Sequence, residues 1–317
     1  MERQIKGSLL LLTTAIIWGL AFVAQSKGMD YIGPFTYNMA RHFIAFFVMI
    51  PIVVFFRKKS LKDNPKNKEE IAIMNKNSLM GGVFCGIVLG FAGAFQQIGL
   101  TMTTAGKTGF ISALYIVIVP ILGIFLKKPL QKSIVFCLFL AITGFYLLCV
   151  KEGFDISPGD VLCLFCAIGF SFHILIVDHY SLKSLDGVLM SCVQFLIAGI
   201  ISAILTFIFE NPSISSIWDA KLTILYAAIL SSCLGYTFQI IGQGFTPPAI
   251  ATLIMSLESV FAALFGAIFL KESLSPKELA GCVLVFVAVI LAQLPLPKAK
   301  KIFSIFNKKG CLKIKNR

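Results

Sequence analysis

Ten stretches of this chain each come close to the run of about 20 mostly apolar residues that an α-helix needs to cross the hydrocarbon of a bilayer. They fall at roughly 8–26, 34–56, 79–99, 105–126, 133–150, 159–178, 187–208, 222–242, 248–270 and 277–296. Short turn-rich joints separate most of them, such as Gly33-Pro34, Ser157-Pro158-Gly159 and Thr246-Pro247-Pro248. The first run is too long for a signal-peptide core and lacks an A-x-A cleavage site, so it is expected to stay as a helix. The spans occupy nearly the whole chain of 317 residues. That leaves no room for a soluble nucleotide-hydrolysing module, and no G-x-x-x-x-G-K-[ST] occurs.

Composition closes the other routes. Hydrophobic residues make up 57% and charged residues 14%, against about 25% charged in a soluble domain. Disorder, a coiled coil and a secreted disulfide scaffold fail on the same figures. The nine cysteines are an odd number, and eight of them lie inside apolar runs, where cysteine acts as a small hydrophobe. Cys163 and Cys166 form a C-x-x-C with no second ligand pair, so neither a metal site nor a cofactor is expected.

The net charge of +13 is concentrated in Arg57–Lys76 and in the tail Lys298–Arg317. No zinc-ligand spacing or RNP-type motif accompanies it, so nucleic acid is not an expected partner. Basic clusters beside apolar spans instead meet anionic lipid at the cytoplasmic face. With the N-terminus inside, the inner segments hold 21 Lys and Arg and the outer segments six, with Arg41 left over inside the second span. This bias predicts a multi-pass protein with both termini in the cytoplasm.

Self-comparison at an offset of 144 residues aligns Ala105–Leu130 with Ala249–Leu274, with eight of 26 positions identical. Ile124-Phe125-Leu126-Lys127 faces Ile268-Phe269-Leu270-Lys271, and one gap earlier Gln96-Gln97-Ile98-Gly99 faces Gln239-Ile240-Ile241-Gly242. The fourth span therefore matches the ninth. The chain reads as two units of five helices, 8–150 and 159–296, followed by a basic tail over 297–317. Five is odd, so the second unit enters the membrane upside down. The fold class is an all-α integral membrane protein of ten helices in two inverted five-helix repeats, the arrangement of secondary transporters that alternate access about a midplane site.

The sequence also resembles the EamA family of the drug/metabolite transporter superfamily. The resemblance is carried by Ala15-Ile16-Ile17-Trp18-Gly19, Arg41-His42-Phe43-Ile44-Ala45, Ala105-Gly106-Lys107-Thr108-Gly109-Phe110, and Leu257-Glu258-Ser259-Val260-Phe261-Ala262-Ala263-Leu264 running into Leu270-Lys271-Glu272. His42 and Ser259 depart from the family pattern. The resemblance covers residues 8–296. It implies metabolite export or exchange, often of amino acids or related solutes, in the bacterial plasma membrane. It also implies that spans one to four and six to nine surround a central cavity, with spans five and ten outside.

Within the spans, polar residues ask for a reason, since a charge at a helix centre costs about 2.5–3.5 kcal/mol on the insertion scale. At 1.5 Å per residue, Arg41 lies about 10 Å below the outer face and Glu258 about 15 Å from the inner end of its span, with His173 near the same level as Glu258. Two readings stand: a polar cavity that binds a solute or a proton, or a structural pair in which Arg41 or His173 neutralises Glu258. His42 fits either a cavity or a helix contact. Thr108, Ser112 and Tyr115 share one helical face, and their repeat partners Thr252, Ser256 and Ser259 share the matching one. Such a doubled stripe suits a central pathway; small hydroxyl residues also line tight helix contacts. Trp18 fits a cavity wall or simple packing. Gly82, Gly86 and Gly90 recur every four residues and read as close helix packing. Pro120 predicts a kink in the fourth span that Leu264, its partner, would not copy.

Taken together, the residues predict a transporter of a small organic solute and no enzymatic constellation. The alternatives are an integral-membrane enzyme acting on lipid, or a solute channel. Oligomeric state, coupling ion and solute identity are not fixed by the sequence.

Overall fold

The computed structural model describes residues 2–126, 132–149, 157–181, 183, 186–269 and 275–293. Ten helices account for the ten apolar runs: α1 Glu2–Gly28, α2 Pro34–Asp63, α3 Lys68–Met102, α4 Ala105–Phe125, α5 Lys132–Cys149, α6 Pro158–Ser181, α7 Gly187–Phe209, α8 Lys221–Gln243, α9 Pro248–Phe269 and α10 Pro276–Gln293. Eight are long and apolar enough to span a bilayer. In α5 and α10 the described apolar stretches, Ile134–Gly144 and Leu279–Ala292, are shorter. A short helix, Ile214–Asp219, precedes α8. The joint over 127–131, most of the joint Lys151–Gly159, Leu270-Lys271-Glu272 and the basic tail lie outside the described residues.

The Arg57–Asn77 joint is largely helical rather than a loop. Hydropathy marks where the membrane ends, not where the helix does. The polar overhang of α3 is started by a capping box: the Asn67 side chain accepts from Glu70 N at 2.8 Å, and the Glu70 carboxylate accepts from Asn67 N at 2.9 Å. α2 begins with Gly33-Pro34 and has no side-chain cap of its own. Its free N–H groups at Phe35 and Thr36 are met by the Glu210 carboxylate, which follows α7, at 2.9 and 2.8 Å. A carboxylate at a helix N-terminus satisfies both the open donors and the helix dipole. That contact ties the start of α2 to the end of α7.

Helix contacts fall into exchanged pairs. α3 packs on α6 and α7 as α8 packs on α1 and α2; α1 packs on α9 as α6 packs on α4; α2 meets α7, and α5 meets α10. Exchanging the first five helices with the last five maps this contact set onto itself, as duplicated repeats require. The closest crossings are duplicated too. A Cβ added at Gly99 on α3 would sit 2.9 Å from the carbonyl oxygen of Gly159 on α6. A Cβ added at Gly7 on α1 would sit 2.9 Å from that of Gly242 on α8. Gly99 and Gly242 are partners in the self-alignment, so one backbone contact is made twice.

Gly82, Gly86 and Gly90 face Val193, Ile197 and Ile201 of α7 in register. At Gly86 an added Cβ would meet Ile197 Cβ at 2.6 Å and the Gln194 carbonyl oxygen at 2.7 Å, whereas at Gly93, two turns on, its nearest neighbour is Asn38 Nδ2 at 3.9 Å. Overpacking of this kind costs roughly 1–3 kcal/mol. We therefore expect Gly86→Ala to lower the melting temperature of the detergent-purified protein and Gly93→Ala to leave it nearly unchanged. Equal melting temperatures for the two variants would mean that α3 and α7 are not held this closely.

Burial runs opposite to that of a water-soluble protein. Large apolar side chains such as Phe47, Phe139, Ile204 and Phe207 point outward, while Gln25, Asn38, Arg41, Gln97, His173 and Glu258 are buried. Lipid is the solvent for the first group, and each of the second must find a partner or a cavity.

Candidate functional site

Both α4 and α9 are broken at matching points. α4 is interrupted between Ser112 and Tyr115, and α9 at Ser256, the repeat partner of Ser112. The asymmetry expected from Pro120 is not seen, because α9 breaks as well, with Leu264 in the place of the proline. In α4, Pro120 lies beyond the break, inside the continuous segment Tyr115–Phe125; at the break itself Ile116 N and Val117 N bond three residues back, to Ala113 and Leu114 oxygens, as Ser259 N does to Ser256 O in α9. In α9, the Ser256 and Ser259 hydroxyls donate to the Leu253 and Ser256 carbonyls at 2.8 and 3.0 Å. Back-bonding of this kind bends helices.

α8 departs from regular winding as well. Tyr226–Tyr236 is wound as π-helical turns, a form found mostly at functional sites. The looser winding leaves carbonyls to the side chains of α1. Trp18 Nε1 donates to Ser231 O at 3.2 Å and Thr14 Oγ1 to Gly235 O at 3.1 Å. Gly235 carries no side chain where the indole approaches; an added Cβ would lie 2.5 Å from Trp18 Nε1.

These irregular segments line a narrow cavity, whose free space for the centres of water-sized molecules is about 30 Å³. It is lined by Trp18, Ala21, Phe22 and Gln25 of α1, Arg41 of α2, Gln96 of α3, Tyr115 of α4, Phe170 and Ile174 of α6, Ser231, Tyr236 and Gln239 of α8, and Glu258 of α9. α5, α7 and α10 contribute none of these residues. The lining is itself paired by the repeat: Gln96 with Gln239 in the self-alignment, and Tyr115 one residue from the partner of Glu258.

An acid and a guanidinium face this cavity, and neither has an ion-pair partner among the described residues. Glu258 is 5% exposed and Arg41 3%. The Tyr115 hydroxyl donates to Glu258 Oε1 at 2.9 Å. Arg41 Nη1 donates to Gln25 Oε1 at 2.9 Å and Arg41 Nε to His42 Nε2 at 3.3 Å, with the Tyr236 hydroxyl also in reach. His173 is engaged elsewhere, its Nε2 lying 3.0 Å from Gln194 Oε1. Trp18 and Tyr236 meet at a tilt of 53°, with ring centroids 4.8 Å apart, and Tyr236 also meets the rings of His173 and Phe195. The walls are therefore aromatic, with an acid and a guanidinium left uncompensated between them.

Of the residues expected to form a site, Trp18, Arg41, Tyr115 and Glu258 come together here. Ser112 stands one contact back, with Gln96 Nε2 donating to it at 3.2 Å. His173 stands behind Tyr236. Thr108 lies beside Cys163 and does not reach the cavity wall. Thr252, Ser256 and Ser259 spend their hydroxyls on backbone carbonyls, Thr252 on Ala249 at 3.0 Å and Ser259 also on Gly109 at 3.4 Å. Gln25, Gln96, Ser231, Tyr236 and Gln239 were not singled out as site residues. The alignment of Gln96-Gln97-Ile98-Gly99 with Gln239-Ile240-Ile241-Gly242 already paired two of them. Among the described residues no three His, Cys, Asp or Glu side chains converge as metal ligands would.

Comparison with known proteins adds identity to this geometry. The family model described as the EamA-like transporter family matches twice, over residues 5–150 and 157–294. An uncharacterized transporter of Archaeoglobus fulgidus is 32% identical over 293 residues, 92% of this chain and 87% of its own. The uncharacterized transporter YoaV of Bacillus subtilis is 22% identical, over 91% of this chain and 97% of its own. A crystal structure at 15% identity superposes with a TM-score of 0.71, covering 90% of this chain and 96% of that one. It shares the fold.

Proposed function

The chain belongs to the EamA-like transporter family, and on that premise we propose that it is a secondary transporter carrying a small zwitterionic solute, an amino acid or a close relative, by alternating access. The carrying observation is the unpaired Arg41 and Glu258 on the wall of one cavity. Each of these groups, when charged, is costly to keep buried without a counter-charge. A solute with a carboxylate for Arg41 and an ammonium for Glu258 relieves both at once. Gln96 and Gln239 offer further amide groups around it, and the rings of Trp18, Phe22 and Phe170 suit an apolar side chain. The paired breaks of α4 and α9 give each half one segment that can rearrange as access passes from one face to the other.

The direction proposed is export, across the bacterial plasma membrane, with both termini in the cytoplasm and the basic Arg57–Lys76 region against anionic lipid. The 21 to 6 bias of Lys and Arg supports that orientation. A membrane-impermeant thiol reagent applied to intact cells should label a cysteine placed at Ser157 and spare one placed at Ser60. The reverse pattern would overturn the orientation.

The function is tested by uptake of labelled amino acids into proteoliposomes holding the full chain, with and without a pH gradient. Saturable uptake of at least one of them is expected. Uptake of none, or a flux that rises linearly with concentration as in a channel, would refute the reading.

A further inference from the structure

Three acidic side chains are buried among the described residues: Asp160, Asp178 and Glu258. Asp160 opens α6, where Lys107 Nζ lies 2.6 Å from its carboxylate and Ser157 N donates to it at 2.8 Å. Asp178 stands in the last turn of α6, near the end of a span. Glu258 differs from both. It stands in the middle of α9, at the break, holding one neutral hydrogen-bond donor and open to a cavity.

The ionisable groups around it supply no fixed positive charge at contact distance. On α4 there is Tyr115; on α8, Tyr236; on α6, the Cys166 thiol and, behind Tyr236, His173. α1, packed along α9, has no ionisable side chain between Lys6 and Lys27. On the far side, the thiols of Cys137 in α5 and Cys282 in α10 sit in the apolar cluster with Leu257 and Val260. Arg41 of α2, with His42 behind it, reaches the cavity but bonds Gln25.

We propose that the Glu258 carboxylate is a proton-binding site, and that a proton and the cationic end of the solute occupy it in alternation. With the cavity empty of solute, water delivers a proton to the carboxylate oxygen that faces the cavity, while Tyr115 holds the other. When an ammonium docks, that proton leaves to water on the open side and the carboxylate takes the cation in its place. No bond other than O–H forms or breaks. One proton entering for each zwitterion leaving moves one net positive charge per cycle, so the exchange is electrogenic. The proton site stands on the geometry alone; the alternation rests on the zwitterion reading given above.

Infrared difference spectra of the full chain in liposomes, taken between acidic and alkaline buffer, test the site without any solute. A carboxylic-acid C=O band is expected to appear on acidification, to vanish in Glu258→Gln, to persist at a changed frequency in Glu258→Asp, and to shift in Tyr115→Phe. A spectrum that Glu258→Gln leaves unchanged would overturn the proposal. A mixture of the standard amino acids added to weakly buffered liposomes tests the alternation, and should release protons from the wild type but not from Glu258→Gln. A titrating Glu258 band with no proton release by amino acids would uphold the proton site and refute the zwitterion reading. Amino-acid binding seen as thermal stabilisation, with no Glu258 band at all, would do the opposite.

Discussion

A Glu258→Gln protein should insert and fold normally yet transport at least about tenfold more slowly, a loss equal to roughly 1.4 kcal/mol of binding or coupling. Folding is expected to survive because the substitution orphans nothing. Gln keeps the shape and an oxygen that still accepts from Tyr115, and no cation in the described structure depends on Glu258 for neutralisation. What disappears is the one negative charge on the cavity wall, and with it the exchangeable proton. In the wild type, transport should rise and fall with the proton gradient, since a proton must leave Glu258 before a cation docks and return afterwards. In the variant that dependence should flatten. Wild-type rates with unchanged pH dependence in well-expressed Glu258→Gln would reduce Glu258 to a structural part.

Arg41→Gln should act at the other end of the solute. Hydrogen bonds to a charged group contribute about 1.5–3 kcal/mol, so losing the guanidinium should raise the half-saturating solute concentration by about tenfold to a hundredfold. The substitution takes a donor from Gln25 Oε1 and His42 Nε2, both neutral acceptors, and leaves no carboxylate behind. The protein should therefore stay folded. Arg41→Lys should recover only part of the loss, because an ammonium keeps the charge but not the planar fork that grips a carboxylate. Unchanged half-saturation in Arg41→Gln would place the solute's anionic end elsewhere in the cavity.

The spans were legible because bilayer thickness sets a similar apolar length for each crossing, and the repeat because α4 and α9 kept eight identities. Arg41 and Glu258 stood out because a charge inside an apolar run is costly. The hydroxyl stripe misled for a geometric reason. A face computed at 3.6 residues per turn holds only while the helix is continuous, and α4 breaks between Ser112 and Tyr115. Tyr115 therefore turns into the cavity and Thr108 does not follow. Winding hid Ser231 and Tyr236 in the same way, since π-turns rotate successive side chains differently from the α-helix that hydropathy assumes. Gln25 was passed over because it lies at the polar end of α1, where a glutamine ordinarily meets water. Its Nε2 bonds back to Ala21 O, and its Oε1 accepts from the neighbouring Arg41.

If the two halves of this protein had identical sequences, exchanging their conformations would return the same object turned over, and it would face either side equally often. The breaks in α4 and α9 deny it that evenness. Pro120, a turn beyond the break in α4, has no N–H for the Ile116 carbonyl. At the break in α9 the Ser256 and Ser259 hydroxyls hold the Leu253 and Ser256 carbonyls. If the protein alternates as proposed, its two orientations should therefore differ in energy. A difference of about 1.4 kcal/mol leaves about ten molecules facing one way for each facing the other. Spin-label distances across each mouth of the cavity, measured without solute, would show this as unequal populations; equal ones would mean the two breaks are interchangeable. A transporter biased in this way would have a resting orientation, as a valve does, set by the residues in which its two halves differ.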